Sequence, residues 1–192
     1  MTLIRANQGN NAIQKGANVG QQVANLARNN PQALNYCDIQ YTTQENGKFS
    51  IDGGLAYSME SLKAFDFNGD GIVTTQETGQ LGQLIDLNND GKISASENLA
   101  YTMYQDAAGN MDGVVTAQER DAANRALMAD PAKARSQMQQ LSNGHNLQAR
   151  EQQLTQQNSN AQNNPMMQMM QAFMQMFMQI IQQMMQMFGM AQ

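Results

Sequence analysis

A glycine recurs at positions 47, 71, 91 and 113, each followed two residues on by Phe49, Val73, Ile93 or Val115 and then by Ser50, Thr74, Ser94 or Thr116. The unit is about 22 residues long, and its neighbourhood repeats as well. LAYSM at Leu55–Met59 returns as LAYTM at Leu99–Met103, and NGKFS at Asn46–Ser50 returns as DGKIS at Asp90–Ser94, both at an offset of 44.

The two central copies carry the chemistry. DFNGDGIVTTQE presents the oxygens of Asp66, Asn68, Asp70, the Ile72 carbonyl, Thr74 and Glu77. DLNNDGKISASE presents Asp86, Asn88, Asp90, the Lys92 carbonyl, Ser94 and Glu97. Acidic or amide groups at positions 1, 3 and 5, glycine at 6, a carbonyl at 7 and glutamate at 12 are the pattern that wraps six to eight hard oxygens round calcium. Both segments resemble the EF-hand family at every ligand position, including the apolar eighth residues Val73 and Ile93. The resemblance implies an all-α, EF-hand-like array of helix-loop-helix units with short β-bridges between loops, flanking helices and a separate C-terminal helix. It also implies two calcium ions as the bound cofactor.

The outer copies depart from the pattern. Thr42–Gly53 has Thr42 first and Gly53 last, and without a chelating carboxylate it should hold calcium poorly. In the fourth copy the spacing gives Asn110, Asp112, Thr116 and Glu119, but Ala108 stands at the first position. Asp106, two residues early, makes a 14-residue loop and a third site at Asp106, Asn110, Asp112 and Glu119 conceivable.

Only Thr78–Ile85 separates Glu77 from Asp86, room for one helix from about Thr75 to Ile85. One helix serving both loops would run about 16 Å and place them at opposite ends. Alternate loops would then pair, Thr42–Gly53 with Asp86–Glu97 and Asp66–Glu77 with the Asn110–Glu119 unit. Gly79 and Gly82 each weaken that helix by about 1 kcal/mol.

Around this core, residues 1–35 read as a polar segment with a weak helix through Ile13, Val19, Val23 and Leu26, stopped by Pro31. Residues 36–130 form the calcium-binding domain. Residues 131–164 read as a Gln/Asn-rich helix near Pro131–Leu154 and a linker. Residues 165–192 are an uncharged Met/Gln-rich amphipathic helix, its seven internal glutamines within about 120° of arc. Its broad apolar face predicts a homo-oligomer or intramolecular docking. A membrane surface, a calcium-opened groove and Cu(I) held by thioethers are the other partners weighed.

Charge and residue inventory narrow the function. Residues 38–121 hold 14 acids against Lys48, Lys63, Lys92 and Arg120, a field that attracts cations and repels nucleic acid. A lone cysteine, Cys37, and a lone histidine, His145, leave no disulfide framework, thiolate zinc site or nucleophilic triad to assemble. The expectation is a calcium-binding protein that is not an enzyme, with calcium as a structural clip. The rival reading is a sensor that exposes a groove or releases the tail. The opening MTLIRANQGNNAIQKG lacks the apolar run of a secretory leader, consistent with a cytoplasmic or leaderless secreted protein.

Overall fold

Each helix of the central array begins at the Ser or Thr that follows a repeat glycine. The computed structural model describes residues 2–4, 11–45 and 48–162, and the chain divides into units 1–151 and 152–192. Ser50, Thr74, Ser94 and Thr116 are the N-caps of α2 (Ile51–Leu62), α3 (Thr75–Ile85), α4 (Ala95–Asp106) and α5 (Ala117–Ala129). Each hydroxyl accepts the N–H three residues on, satisfying a donor that a helix start leaves open. In α3, α4 and α5 that third residue is Glu77, Glu97 or Glu119, whose carboxylate returns the bond as a capping box. The fold is all-α with short β-bridges.

The core lies between these helices. The offset-44 repeat places Leu55 and Leu99, both buried, on α2 and α4, and the side chain of Leu99 packs over Gly54. Ala100, Met103, Val115, Ala123 and Leu127 are buried with them.

The N-terminal segment is built into this body. Helix α1 (Ala12–Asn29), capped by Asn11, lies backbone to backbone on α2. A Cβ at Gly16 would stand 1.8 Å from the Gly53 carbonyl, and one at Gly20 would stand 2.3 Å from that of Tyr57. A 3-10 turn at Pro31–Tyr36 then leads into β2 (Cys37–Gln40). Strand β2 pairs in parallel with β1 (Thr2–Ile4) and antiparallel with β5 (Val114–Val115). In the copy at Thr42–Gly53, β3 (Gln44–Glu45) pairs antiparallel with β4 (Lys48–Phe49).

The alternate pairing of loops expected from spacing is wrong. Loops Asp66–Glu77 and Asp86–Glu97 bridge each other: Thr74 faces Lys92, and Ile93 donates its N–H to the Val73 carbonyl at 2.8 Å. The segment between them is helical over the expected residues, but it breaks at Gly79, where φ is 63° and ψ is −145°. Residues with a Cβ rarely adopt that conformation. The break splits Thr75–Ile85 into two short pieces that reverse the chain. Gly82 completes the reversal, since a Cβ there would meet the Thr78 hydroxyl at 1.8 Å. The two glycines read as weak points of one helix are what allow two.

Beyond α5, the single polar helix expected near Pro131–Leu154 is two helices. Helix α6 (Pro131–Gly144) and α7 (Leu147–Gln162) are separated at Asn146, whose φ is 52°. Half-buried His145 is the C-cap of α6. No helix among the described residues is long and apolar enough to cross a membrane. The Met/Gln-rich helix expected over 165–192 lies outside the described residues.

Candidate metal centre

Three loops of this chain repeat one geometry. In the first, Gly71 donates its N–H to Asp66 Oδ2 at 3.0 Å, Ile72 to Asp70 Oδ1 at 2.8 Å, and Asn68 Nδ2 to Asp70 Oδ2 at 3.0 Å. In the second, Gly91 donates to Asp86 Oδ2 at 3.0 Å, Lys92 to Asp90 Oδ1 at 2.9 Å, and Asn88 Nδ2 to Asp90 Oδ2 at 3.1 Å. At the far end of each, Thr74 and Ser94 donate N–H and hydroxyl to Glu77 Oε2 and Glu97 Oε2. The other oxygen of each glutamate reaches back across the loop, accepting from Phe67 and Asn68 or from Leu87 and Asn88.

The third loop runs from Asp106 to Glu119 and, despite its two extra residues, repeats the bonds to the first aspartate, the Asn–Asp pair and the closing Thr–Glu pair. Gly113 donates to Asp106 Oδ2 at 2.9 Å, Val114 to Asp112 Oδ1 at 2.9 Å, and Asn110 Nδ2 to Asp112 Oδ2 at 3.0 Å. Thr116 closes it with N–H and hydroxyl on Glu119 Oε2. The backbone repeats too. Left-handed residues stand at Gly69 and Gly71, at Asn89 and Gly91, and at Met111 and Gly113. The insertion is taken up at Ala107–Gly109, where Glu119 Oε1 lies so close to Gly109 that a Cβ would meet it at 1.9 Å. Asp106, not the in-register Ala108, therefore takes the place of Asp66 and Asp86.

The loops differ in burial. Asp66 and Glu77 are half-buried, whereas Asp86 and Glu97 are 5% and 2% exposed, and Asp106 and Glu119 are 0% and 9% exposed. Burial raises the Asp106 carboxyl above the ordinary range; the Gly113 N–H and Tyr41 hydroxyl pull it down, while Asp112 and Glu119 push it up. Glu77 is held below its ordinary value, chiefly by the Thr74 N–H and hydroxyl.

A capping box accounts for Thr74/Glu77, Ser94/Glu97 and Thr116/Glu119 without any ion. It does not account for an Asn-x-Asp-Gly run folded back on an aspartate at the loop start, three times over. Among the described residues His, Cys, Asp and Glu do not gather in threes as a side-chain cage. Each loop instead mixes carboxylates with amide and backbone oxygens, the donor set suited to a hard cation.

A profile of the EF-hand family matches residues 83–97, which span the second loop. That segment is an EF-hand motif, and the match implies calcium binding there. No curated protein and no solved structure matches the chain.

Sequence reasoning missed the groups that hold the second loop from outside. Arg135 on α6 donates to the carbonyls of Gln83, Leu84 and Asp86 and to Asn89 Oδ1, at 2.7–3.0 Å. Glu151 on α7 accepts the N–H groups of Ala95 and Ser96 at 2.9 and 3.0 Å. No local pattern marks either residue, since each lies some 50 positions from what it holds.

Proposed function

We propose that this chain is a non-catalytic calcium-binding protein in which a bridged pair of EF-hand loops and a third, longer loop hold calcium as a structural clip. The observation that carries the reading is the threefold repetition of one loop geometry. In loop 1, Asp66, Asn68, Asp70, the Ile72 carbonyl, Thr74 and Glu77 would hold the ion. In loop 2 these roles fall to Asp86, Asn88, Asp90, the Lys92 carbonyl, Ser94 and Glu97. The third set is Asp106, Asn110, Asp112, the Val114 carbonyl and Glu119.

Calcium supplies the positive charge that these acids lack; the chain supplies the order. Glycines 71, 91 and 113, each with positive φ, give every loop the bend that lets the backbone fold back on its first aspartate. The capping boxes tie each chelating glutamate to a helix start, so filling a loop stabilises α3, α4 or α5 directly. The bridge at Thr74 and Lys92 joins loops 1 and 2. The third loop lies instead against β2, with Ile39 opposite Val115. Loop 2, bridged to loop 1 and held from outside by Arg135 and Glu151, favours the clip over the sensor. The Met/Gln-rich sequence of residues 165–192 would serve self-association with a second copy.

Calcium calorimetry on the full chain tests the reading. Three ions are expected for the parent chain, and two for each of Asp66→Ala, Asp86→Ala and Asp106→Ala. A parent that binds no calcium at millimolar concentration would overturn it. A stoichiometry of two, unchanged by Asp106→Ala, would remove the third loop alone.

A further inference from the structure

We infer that Arg135 and Glu151 are positioning residues for loop 2, and that they make it the tighter site of the bridged pair. The inference rests on the calcium reading above and goes beyond it by ranking the two loops and naming what ranks them.

The two side chains grip loop 2 at its two ends. Arg135 Nη2 donates to the carbonyl of Asp86, the first ligand position, and to Oδ1 of Asn89. Its Nη1 holds the Gln83 and Leu84 carbonyls at the end of α3. That fork fixes the angle at which α3 delivers Asp86. At the other end Glu151 accepts from Ala95 and Ser96, the residues between Ser94 and Glu97. A carboxylate at these amides also complements the helix dipole. It locks the first turn of α4, which carries the chelating Glu97.

A cation site gains affinity when its ligands are ordered before the ion arrives, because less freedom is lost on binding. Loop 2 has that order: Asp86 and Glu97 are nearly sealed from solvent, while Asp66 and Glu77 of loop 1 remain half-buried. Electrostatics does not cancel the gain. The guanidinium opposes a second cation nearby and the carboxylate favours it, so the pair adds order with little net charge. Glu151 also lines a cleft of about 540 Å³ with Asp66 and Asp90, so its charge reaches both loops. Its hydrogen bonds to Ala95 and Ser96 fall on loop 2.

The test follows each loop by its own reporter, the backbone amides of Gly71 and Gly91, in NMR calcium titrations of the full chain. In the parent, Gly91 should reach half-saturation at lower calcium than Gly71. Glu151→Ala should weaken the Gly91 response about tenfold, comparable with losing a helix cap, and leave Gly71 within about twofold. Glu151→Gln keeps an acceptor without the charge and should recover part of the loss. Arg135→Met should act as Glu151→Ala does, and Arg135→Lys should recover little because it lacks the fork. Equal weakening of both loops, or of neither in variants whose circular dichroism matches the parent, overturns the inference. So does Gly71 saturating first in the parent. Silence of both amides in the parent would instead sink the calcium reading itself, a separate outcome.

Discussion

The hydroxyl of Tyr41 donates to Asp106 Oδ2 at 3.0 Å, across 65 residues of chain. Tyr41 is 1% exposed and Asp106 fully buried, so this hydrogen bond is shielded from solvent. Tyr41→Phe should cost about 1–3 kcal/mol in calcium-free protein, the price of leaving a buried carboxylate short of a donor. Calcium at Asp106 would satisfy the same oxygen, so the loss should shrink when calcium is present. Urea unfolding with chelator and with calcium checks this; an equal loss in both would detach Tyr41 from any ion at that loop.

Gly79 carries the reversal that lets loops 1 and 2 meet. Gly79→Ala forces a Cβ into a φ of 63° and should destabilise the protein by about 1–2 kcal/mol. Gly144, at the end of α6 with open space around it, is the opposite case. Gly144→Ala should raise stability by about 0.5 kcal/mol through helix propensity. Thermal melts of the pair should move in opposite directions, and a Gly79→Ala melt at or above the parent would refute the role given to the break.

The first copy of the repeat cannot be repaired into a cation loop. Gly53 stands where the chelating glutamate would be, and a Cβ there would lie 2.7 Å from the Ala12 carbonyl. Gly53→Glu should therefore add no bound calcium and should unseat α1, costing about 3 kcal/mol or more. Calorimetric stoichiometry together with denaturant midpoints decides it. An extra ion at undiminished stability would show that α1 yields to the loop.

Tyr57 and Tyr101 are each pushed up from 10.0 to about 12 by burial. Between those values the unfolded chain gives up both protons while the folded chain keeps them. The stability they contribute is whole below pH 10 and is lost as the pH climbs through about 12. Tyrosinate absorbance and far-UV circular dichroism should consequently change together over that interval. Ionisation of every tyrosine near pH 10 with the helices intact would contradict this.

The loops and the helix starts were legible because they are local. Asp-x-Asn-x-Asp-Gly and the glutamate at the twelfth position declare themselves within one loop, and the all-α class came with the family resemblance that those residues carry. The loop pairing was not legible, because it turned on the φ of Gly79, and a glycine weakens a helix and permits a reversal with the same letter. Strand β1 was not legible either: Thr2–Ile4 becomes a strand only because β2, some 35 residues on, lies beside it. Arg135 and Glu151 lie in a Gln/Asn-rich stretch with no motif around them. Most of the partners named for them are backbone groups, which leave no trace in the residue alphabet.

The seat of α1 on α2 has a consequence for how the molecule would come apart. Where the other copies of the repeat gather acids that repel one another, this one is closed by peptide backbone on peptide backbone, with Gly16 against Gly53 and Gly20 against Tyr57. Such a joint asks nothing of the surrounding medium. On the calcium reading proposed above, a chelator would slacken the protein from the side of Asp86 and Asp106, while α1 and α2 stayed clasped as the remnant from which the rest could close again.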